Sequence, residues 1–367
     1  MNPSPRILLF GEAPPPYGGI QAHCTRLLAW LRTQGAVVRL ANTHSRGVAA
    51  SSVADPDIVP SRNGVIPALR QIRAFQPDLI HLHVYRWRIT ALLGWLRLHP
   101  RAFGTAPLRT VVTIHGEAHF TTIPHLVRPL VHEALRRADV LIADNPMLLE
   151  HLHTEIGADP QRTRLIGAFL PPSAAELDRA LLPPAVLAFA AAHSPLIVGN
   201  GAVATFKDED KYGVDLLIAA IDALRDSHPG IGAIFCITAV HDRARMQILE
   251  KDLAQRGLAD RFVFVQDLPS LAPLFAMADA TVRATNTDGD ALSVHESAML
   301  GTPVLASDVV SRPAYADLFR NRDAADLARV MGEVLARGRL DADVASRVEH
   351  AGAALWQLYQ EVLAKAD

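Results

Sequence analysis

The amino-acid sequence alternates short apolar segments with longer amphipathic segments, and this alternation restricts the fold more than any other feature. One series opens with Arg6–Phe10 and runs to Val140–Ala143. A second series opens with Leu196–Gly199 and runs to Val304–Ala306. Short buried strands that alternate with helices are typical of a parallel sheet covered by helices on both faces. We therefore predict an α/β protein with two similar parallel-sheet domains.

The chain length and a proline-rich segment predict where the domains divide. At 367 residues the chain exceeds what one compact core normally accommodates, so two domains are expected. The proline-rich segment 171–184 is the expected linker. We predict a first domain over residues 1–183 and a second over 184–343. The remainder, 344–367, is predicted to contain one helix, Val344–Ala364.

The composition excludes several classes of protein. Half of the residues are apolar and 20% are charged, which is ordinary for a globular chain and not for a disordered one. The apolar run Ile7–Phe10 is too short for the core of a signal peptide, and no apolar stretch approaches the ~20 residues that span a bilayer. Cys24 and Cys236 fall in separate predicted domains, so neither a disulfide nor a cysteine metal cluster is indicated. The cytoplasm is the expected compartment.

Charge is distributed unevenly between the two halves of the chain. Residues 1–185 hold 19 Arg and 13 acidic residues, a balance of +6, whereas the remainder balances to −8 within a net charge of −2. A basic first half suits an anionic membrane surface or an anionic acceptor, and equally an ordinary solvated surface. The segment 84–98, which mixes Arg and Trp, either rests on a membrane or forms a helix buried against the sheet. Nucleic-acid binding is not expected, because the sequence has no basic-aromatic motif and its second half is acidic.

Two motifs of the first half lie where strands lead into helices, the edge at which parallel sheets bind ligands. The turn Gly18-Gly19 allows a phosphate to approach the backbone, although the same pattern also makes an ordinary tight turn. His115 follows a buried strand, where an imidazole either donates to a substrate oxygen or leaving diphosphate or is simply satisfied within its loop. His81 and His83 share one face of a strand. No Cys or carboxylate set accompanies them, so we predict no metal site.

The segment Asp288–Asp308 carries the strongest motif of the second half. Its apolar spacing predicts a short helix from Leu292 to Leu300 that Gly301 terminates. The N–H groups at the start of such a helix have no intrahelical acceptor and carry the positive end of the helix dipole, so they suit a diphosphate. The amides expected to contribute are those of Asp290, Ala291, Leu292 and Ser293.

Two acids lie on either side of this predicted helix start. Glu296 is one turn into the helix, where its carboxylate can accept hydrogen bonds from both hydroxyls of a ribose. Asp288, before the helix, is in position for the hydroxyls of a transferred sugar. The alternative is that Asp288 only caps the turn and that Glu296 is a solvated helix residue.

These motifs resemble the family 4 glycosyltransferases, whose signature has two acids flanking seven residues beside a glycine-rich turn. Further segments match the family's motifs in the same order along nearly the whole chain. Gly18-Gly19 is similar to the family's N-terminal glycine loop, and His115 to its active-site histidine. The other matching segments are Pro77–His83, Lys211–Ile218, Gly301–Ser307 and the helix with Trp356 and Tyr359.

The resemblance implies a GT-B fold, in which two Rossmann-like domains face each other across a central cleft and the C-terminal helix packs back towards the first domain. It implies a retaining, metal-independent enzyme that moves a sugar from a nucleotide diphosphate sugar to a glycan or lipid-linked glycan acceptor, in polysaccharide or glycoconjugate biosynthesis. Such an enzyme needs no cofactor and works in the cytoplasm, or peripherally at the inner face of the cytoplasmic membrane. A nucleotide-sugar epimerase and a non-catalytic sugar-nucleotide-binding protein of the same fold are the alternatives.

The resemblance also assigns roles to individual residues. His115 and Asp288 would orient the transferred sugar, and Glu296 would hold the ribose. No side chain is well placed as a nucleophile, so attack on the same face, assisted by the leaving phosphate, is expected. The groups expected to neutralise the departing diphosphate are Lys211, the amides of Ala291–Ser293 and the turn Gly18-Gly19.

The chain departs from the family pattern at several positions. Asp288 stands where the family usually has glutamate, and an Asp-Ala pair replaces the usual Phe-Gly. Asn200 stands where an arginine usually binds the diphosphate, and the segment 201–210 that follows is longer. Lys207, within that segment, is a candidate replacement for the missing cation.

Overall fold

The chain folds as two compact units. The computed structural model describes residues 4–15, 17–43, 55–61, 64–83, 87–98, 108–116 and 123–365. Unit 1 comprises Met1–Leu170 together with His350–Asp367, and unit 2 comprises Pro171–Glu349. The sequence analysis puts these boundaries at 183/184 and 343/344. The observed division therefore falls earlier in the linker and later before the C-terminal helix.

Unit 1 is built on a seven-stranded parallel sheet. Its strands are β1 (Arg6–Gly11), β2 (Val37–Asn42), β3 (Ile58–Pro60), β4 (Leu79–Leu82), β5 (Arg109–Ile114), β6 (Val140–Ala143) and β7 (Thr163–Leu165). They pair in the order β3-β2-β1-β4-β5-β6-β7. The chain runs outwards from β1 through β2 to β3 and then crosses to the other side of β1 to form β4. The carboxyl ends of β1 and β4 therefore flank the position at which open α/β sheets bind ligands.

Helices cover both faces of this sheet. They are α1 (Gly19–Thr33), α2 (Val65–Phe75), α3 (Trp87–Leu98), α4 (Arg128–Arg136) and α5 (Pro146–His151). Strand β1 shows why two layers are needed, since its side chains alternate between the faces. Leu8 and Phe10 lie in one apolar core, and Ile7 and Leu9 lie in the other.

Helix α3 contains most of the Arg- and Trp-rich segment of the sequence. Its residues Ile89, Leu92 and Leu96 are buried in the apolar core of unit 1, while Trp95 is 45% exposed. This burial agrees with the prediction of a helix packed against the sheet rather than one lying on a membrane; residues 84–86 are outside the described part of the chain. Among the described helices, none combines the length and apolarity needed to cross a bilayer.

Unit 2 contains a six-stranded parallel sheet and a small hairpin. Its strands are β8 (Leu196–Val203), β9 (Thr205–Phe206), β10 (Glu209–Asp210), β11 (Gly232–Val240), β12 (Phe262–Gln266), β13 (Ala280–Arg283), β14 (Val304–Ser307) and β15 (Ala316–Phe319). The sheet order is β12-β11-β8-β13-β14-β15, and β9 pairs antiparallel with β10. The strand order reverses between β8 and β13, so the carboxyl ends of these two strands mark the expected ligand position of unit 2.

Helices precede, connect and follow these strands. They are α6 (Pro184–Ala192), α7 (Val214–Leu224), α8 (Arg243–Arg256), α9 (Ala272–Met277), α10 (Leu292–Met299) and α11 (Ala324–Arg337). The expected linker also contains regular structure, namely the 3₁₀ turns Ala174–Leu177 and Arg179–Leu181. The side chains of Ser173 and Asp178 cap these turns, so the linker is not an extended connection.

The C-terminal segment forms two helices, so the prediction of one continuous helix is wrong. Helix α12 (Ala342–Ser346) belongs to unit 2 and helix α13 (Ala351–Ala364) to unit 1. The break is stabilised by His350, whose Nδ1 accepts a hydrogen bond from Gly352 N at 3.1 Å and caps α13. Helix α13 then buries Leu355 and Tyr359 in the core of unit 1.

The longer segment after Asn200 is not an irregular loop. Strand β8 continues to Val203, and β9 and β10 form a hairpin turned by Lys207 and Asp208, with φ of 50° and 64°. Positive φ at both central residues is the geometry of a tight two-residue hairpin turn. Lys207 is exposed at its tip.

Gly213 fixes the chain that follows this hairpin against the end of β13. Its φ is +66°, and a Cβ atom built there would lie 2.1 Å from the carbonyl oxygen of Ala284. The amide of Asn286 also donates to the carbonyl of Lys211 at 3.0 Å. Lys211 is therefore held beside the residues that leave β13.

Replacing Gly213 by alanine should destabilise the protein more than the same change at Gly257, which has nearly the same φ of +67° and no atom within 4 Å of a built Cβ. The left-handed backbone alone costs about 1–2 kcal/mol in an alanine variant. Gly213→Ala adds an overlap with a backbone carbonyl, for which about 1–3 kcal/mol more is expected. Urea denaturation of both variants measures the difference. Equal losses would show that Ala284 does not restrict this position.

Candidate functional site

Helix α10 begins with an open first turn. It spans Leu292–Met299 and ends before Gly301, whose φ is +74°, which confirms the helix predicted from the sequence. Its N-cap residue is Ala291, which has no side-chain acceptor for the first N–H groups. Free N–H groups at a helix start bind anions through hydrogen bonds and the helix dipole. The amides of Leu292 and Ser293 are in this first turn, whereas Ala291 is the N-cap residue and Asp290 precedes it.

Asp288 is buried and paired with two arginines. Its side chain is 7% exposed, and its two oxygens face Arg283 and Arg312 at 2.7 Å and 2.9 Å. Burial alone raises the pKa of Asp288, but the positive charges of Arg283 and then Arg312 outweigh it and lower the pKa to about 2. The sequence analysis expects Asp288 to offer its oxygens to a sugar. In the structure, both carboxylate oxygens are instead paired with guanidinium groups. Strand β13 carries Arg283 to this turn, and the segment after β14 carries Arg312 there.

Arg283 connects Asp288 to the other predicted donor-site residues. Its Nη1 lies 3.5 Å from the carbonyl oxygen of Asn200, and its guanidinium lies 5.4 Å from the ring centre of Tyr212. The ammonium of Lys211 is 5.6 Å from the same ring. Asn200, Lys211 and Asp288 are therefore brought together around Arg283 and Tyr212. Neither Arg283 nor Tyr212 was predicted from the sequence, although Arg283 ends strand β13 at the ligand-binding edge of the sheet.

Asp290 and Glu296 have different surroundings. Asp290 is paired with Nε2 of His295, one turn into α10, and Nδ1 of His295 bonds the hydroxyl of Tyr315. The carboxylate of Asp290 thus has a local partner beside the open helix start. Glu296 is only 5% exposed, so the alternative of a solvated helix residue is wrong. Lys207, at the hairpin tip, has its ammonium 5.4 Å from the ring of its own neighbour Phe206.

In unit 1, the predicted residues lie at the carboxyl edge of the sheet. Gly18 caps α1 with extended backbone, and Gly19 is the first helical residue. His115 follows β5 directly, and its Nδ1 lies 3.3 Å from Oδ2 of Asp144, which follows β6. Both side chains are less than 10% exposed. The carboxylate of Asp144 therefore orients the His115 ring.

Two further histidines join His115. Ring nitrogens of His23, His83 and His115 all lie within 4.8 Å of one another. His23 Nδ1 bonds the carbonyl of Ala168 at 2.6 Å. No described group bonds His23 Nε2, His115 Nε2 or either nitrogen of His83, although all are buried. Sequence reasoning missed His23, because its position on a buried helix stripe gives no sign of a polar partner.

His23 and His83 are neutral at physiological pH. Burial, followed by the nearby His115, lowers the pKa of His23 to about 3. Burial and then His81 lower the pKa of His83 well below its usual value. Neutral imidazoles whose second nitrogen is held by a carboxylate or carbonyl are able to bind a metal ion, and equally to hydrogen-bond oxygens of a sugar or phosphate. The chemistry of this group is therefore either metal binding or substrate binding.

His81 is satisfied within the core and is not part of this group. Its Nε2 bonds the hydroxyl of Thr113 at 2.7 Å, and its Nδ1 bonds the hydroxyl of Tyr359 on α13. His81 and His83 do share a face, with ring centres 3.8 Å apart. Only His83 has ring nitrogens without a described partner. The two histidines of this motif thus differ in role.

Substituting Asp288 by asparagine should destabilise unit 2 strongly near neutral pH, because two buried guanidinium groups lose their counter-charge. Removing one partner of a buried ion pair typically costs about 3–5 kcal/mol. The folded-state pKa of Asp288 lies below its unfolded value, so its contribution is present above about pH 4 and is lost as the pH falls towards 2. Urea denaturation at pH 7 and pH 3 should show a smaller difference between wild type and Asp288→Asn at pH 3.

The matched control is Asp343→Asn, which breaks an ion pair with Arg347 in which both side chains are more than 60% exposed. Such surface pairs contribute about 0–1 kcal/mol. If Asp288→Asn lost no more free energy of unfolding than this control variant, the assignment of Asp288 as a buried counter-charge would be contradicted.

Comparison with protein families identifies both units. Residues 18–168 match a glycosyl transferase 4-like domain, and residues 199–337 match glycosyl transferases group 1. A D-inositol 3-phosphate glycosyltransferase of Jonesia denitrificans is 28% identical over 264 residues, 66% of this chain and 58% of that protein. One of Segniliparus rotundus is 25% identical over 304 residues, 77% of this chain and 64% of that protein. The match thus spans less than two thirds of the length of either relative.

Solved structures show the same fold over almost the full length. A sucrose-phosphate synthase of Thermosynechococcus elongatus has a TM-score of 0.68 at 19% identity, covering 99% of this chain and 100% of that one. HepE of Anabaena in complex with UDP-glucose has a TM-score of 0.67 at 15% identity, covering 98% and 100%. With the two domain matches, these likenesses confirm the resemblance to family 4 seen in the sequence: the chain belongs to the GT-B glycosyltransferases, with a glycosyl transferase 4-like domain followed by a glycosyl transferases group 1 domain.

Proposed function

We propose that this glycosyltransferase moves a sugar from a nucleoside diphosphate sugar to a glycan or lipid-linked glycan, with retention at the anomeric carbon and without a metal ion. The observation that carries the proposal is the open first turn of α10, in the same unit as Lys211 and Arg283. Helix amides and cations together stabilise the charge that develops on a departing diphosphate. HepE, which shares the fold, is a precedent for UDP-glucose binding.

In this proposal, unit 2 holds the donor. The amides of Ala291–Ser293 and the ammonium of Lys211 bind the diphosphate. Glu296, one turn into α10, accepts hydrogen bonds from the ribose hydroxyls. A buried carboxylate forms strong hydrogen bonds in this role, because water competes less in a low-dielectric environment.

His115 and the glycine turn of unit 1 act on the transferred sugar and the leaving phosphate. Because Nδ1 of His115 is bonded to Asp144, Nε2 is the ring nitrogen that would hydrogen-bond a sugar hydroxyl. The backbone of Gly18-Gly19 allows close approach of a phosphate at the start of α1. These assignments follow the family resemblance, and the contact between His115 and Asp144 supports them.

Retention without an enzymic nucleophile is favoured by the surroundings of Asp288. A nucleophilic carboxylate must be free to attack, whereas Asp288 has two guanidinium partners. The acceptor oxygen therefore attacks the face from which the diphosphate departs, and a leaving phosphate oxygen takes its proton. The products are the glycoside and the nucleoside diphosphate, so bonds and charges balance.

For the acceptor and the cellular location we propose only a class of molecule and a membrane face. A glycan or lipid-linked glycan is consistent with the basic first half of the chain, and inositol phosphates enter the acceptor panel because two relatives carry that acceptor in their names. Contact with an anionic membrane, at the inner face of the cytoplasmic membrane, would rest on surface arginines rather than on α3, whose apolar residues are buried. Polysaccharide or glycoconjugate biosynthesis is the corresponding process.

A thermal-shift screen against UDP-, GDP-, ADP- and dTDP-sugars tests donor binding. A ligand at about 100 times its dissociation constant should stabilise the protein by about 2.7 kcal/mol. Each stabilising donor is then incubated with glycans, lipid-linked glycans and inositol phosphates, and products are identified by mass spectrometry and NMR. A retained anomeric configuration supports the proposal. Isomerisation of the donor alone would indicate an epimerase, and binding without turnover a non-catalytic protein.

Transfer activity should survive metal removal, because the helix amides and side-chain cations already neutralise the diphosphate. Activity is measured after dialysis against EDTA, with the metal content of both samples determined by mass spectrometry. Unchanged turnover in metal-free protein is the expected result. The prediction would be contradicted if activity were lost and one metal ion restored it in the wild type but not in His83→Ala. That result would make His23, His83 and His115 a metal site.

A further inference from the structure

We propose that Arg283 is the diphosphate-binding arginine of this chain, supplied by the strand next to Asn200, and that Asp288 positions it. The inference rests on the proposed function, since it concerns the same donor. It replaces two sequence-based expectations. Lys207 is then not the substitute cation, and Asp288 is not a sugar ligand.

Sheet register places Arg283 beside Asn200. In the parallel pairing of β13 with β8, Val282 is the partner of Gly199. The next residues, Arg283 and Asn200, are cross-strand neighbours on one face, at the edge where the strand order reverses. Adjacent strands lie about 4.8 Å apart, well within the reach of an arginine side chain. A guanidinium based on β13 can therefore occupy the space next to position 200.

Asp288 holds this guanidinium in one orientation. Nε of Arg283 donates to Oδ2 at 3.0 Å and Nη2 donates to Oδ1 at 2.7 Å, the two-point geometry that fixes the plane of an arginine. Nη1 makes only the long 3.5 Å contact with the Asn200 carbonyl among the described hydrogen bonds. Its N–H groups are therefore the donors available to a phosphate oxygen.

Arg312 prevents Asp288 from cancelling the charge of Arg283. Its side chain is 3% exposed, and its Nη2 lies 2.9 Å from Oδ2 of Asp288. Two guanidinium groups share one carboxylate, so these three side chains carry a net charge of +1 in a nearly buried position. A buried excess charge is unfavourable unless an anion compensates it. A diphosphate bound at the first turn of α10 would supply that anion.

Lys211 and Arg283 form a pair of cations on one aromatic ring. They lie 5.6 Å and 5.4 Å from the centre of Tyr212, which packs against Gly201 so closely that a Cβ there would lie 2.4 Å from the ring. The ring therefore holds both cations next to β8. Lys207 has no such support, since it lies exposed at the tip of the hairpin.

The test compares the affinity for nucleoside diphosphates and monophosphates, which differ only by the β-phosphate. Calorimetry is done on the full chain with UDP and UMP, and with the GDP, ADP and dTDP pairs. Arg283→Gln should weaken diphosphate binding by about 10- to 100-fold, as expected for one charge-assisted hydrogen bond, and monophosphate binding by less than about 3-fold. Arg337→Gln is the matched control, because Arg337 forms a similar two-point pair with Asp317 on the outside of unit 2. It should leave both affinities unchanged.

A rescue variant separates this role from a structural one. Asn200→Arg combined with Arg283→Gln returns a guanidinium to the same place from the neighbouring strand, and should recover at least about 10-fold of the lost diphosphate affinity. If Arg283→Gln does not fold, Arg283→Lys is measured instead. This variant keeps the positive charge but loses the two-point contact with Asp288. It should still weaken the binding of diphosphates more than the binding of monophosphates.

The possible outcomes distinguish this inference from the proposed function. The inference would be overturned, while donor binding stands, if Arg283→Gln lost equal affinity for diphosphates and monophosphates or lost none. It would also be overturned if only Lys207→Gln selectively lost affinity for diphosphates. Wild-type protein that binds none of the nucleoside diphosphates would overturn both.

Discussion

The parallel pairing of β8 with β13 determines where the charged groups of the unit 2 site lie. Because Val282 pairs with Gly199, Arg283 and Asn200 stand side by side at the edge where the strand order reverses. A slip of one residue would turn Arg283 to the opposite face of the sheet and away from Asp288. Gly213 then brings the chain that carries Lys211 against Ala284, which no residue with a Cβ could do without displacing a backbone carbonyl. The site is thus a consequence of sheet register and close backbone contact.

The features that sequence reasoning predicted correctly have local signals. Apart from β3, β7 and β15, which were not predicted, the strands of both sheets are short apolar runs. Helix α10 is defined by its apolar spacing and by Gly301, whose positive φ ends it. The uncapped first turn of α10 likewise follows from helix geometry and needs no tertiary information, and anion binding there stays a prediction. For the same reason the glycine turn before α1 was recognisable.

What the sequence could not predict depends on residues far apart in the chain. Asp288 meets Arg312 only because β14 and the segment after it return to the same edge, and His23 meets His83 only through the packing of α1 on the sheet. No glycine or proline in residues 347–350 marks the break before α13. Besides the cap from His350, a bond from the amide of Ala351 to the carbonyl of Phe169 at 2.8 Å fixes the start of the helix. The apolar periodicity of the sequence continues across residues 347–350, so it predicts one helix where the structure has two.

Two of the departures from the family pattern, Asn200 and Asp288, are best understood as one linked change. The guanidinium of Arg283 already lies 3.5 Å from the Asn200 carbonyl, so an additional arginine at position 200 would place two like charges in one partly buried space. The neutral amide of Asn200 avoids that repulsion. A carboxylate at position 288 is in turn needed to orient Arg283, and both of its oxygens are used for ion pairs. Because Asp288 belongs to the turn that leads into α10, its ion pairs place the charges of Arg283 and Arg312 against that turn.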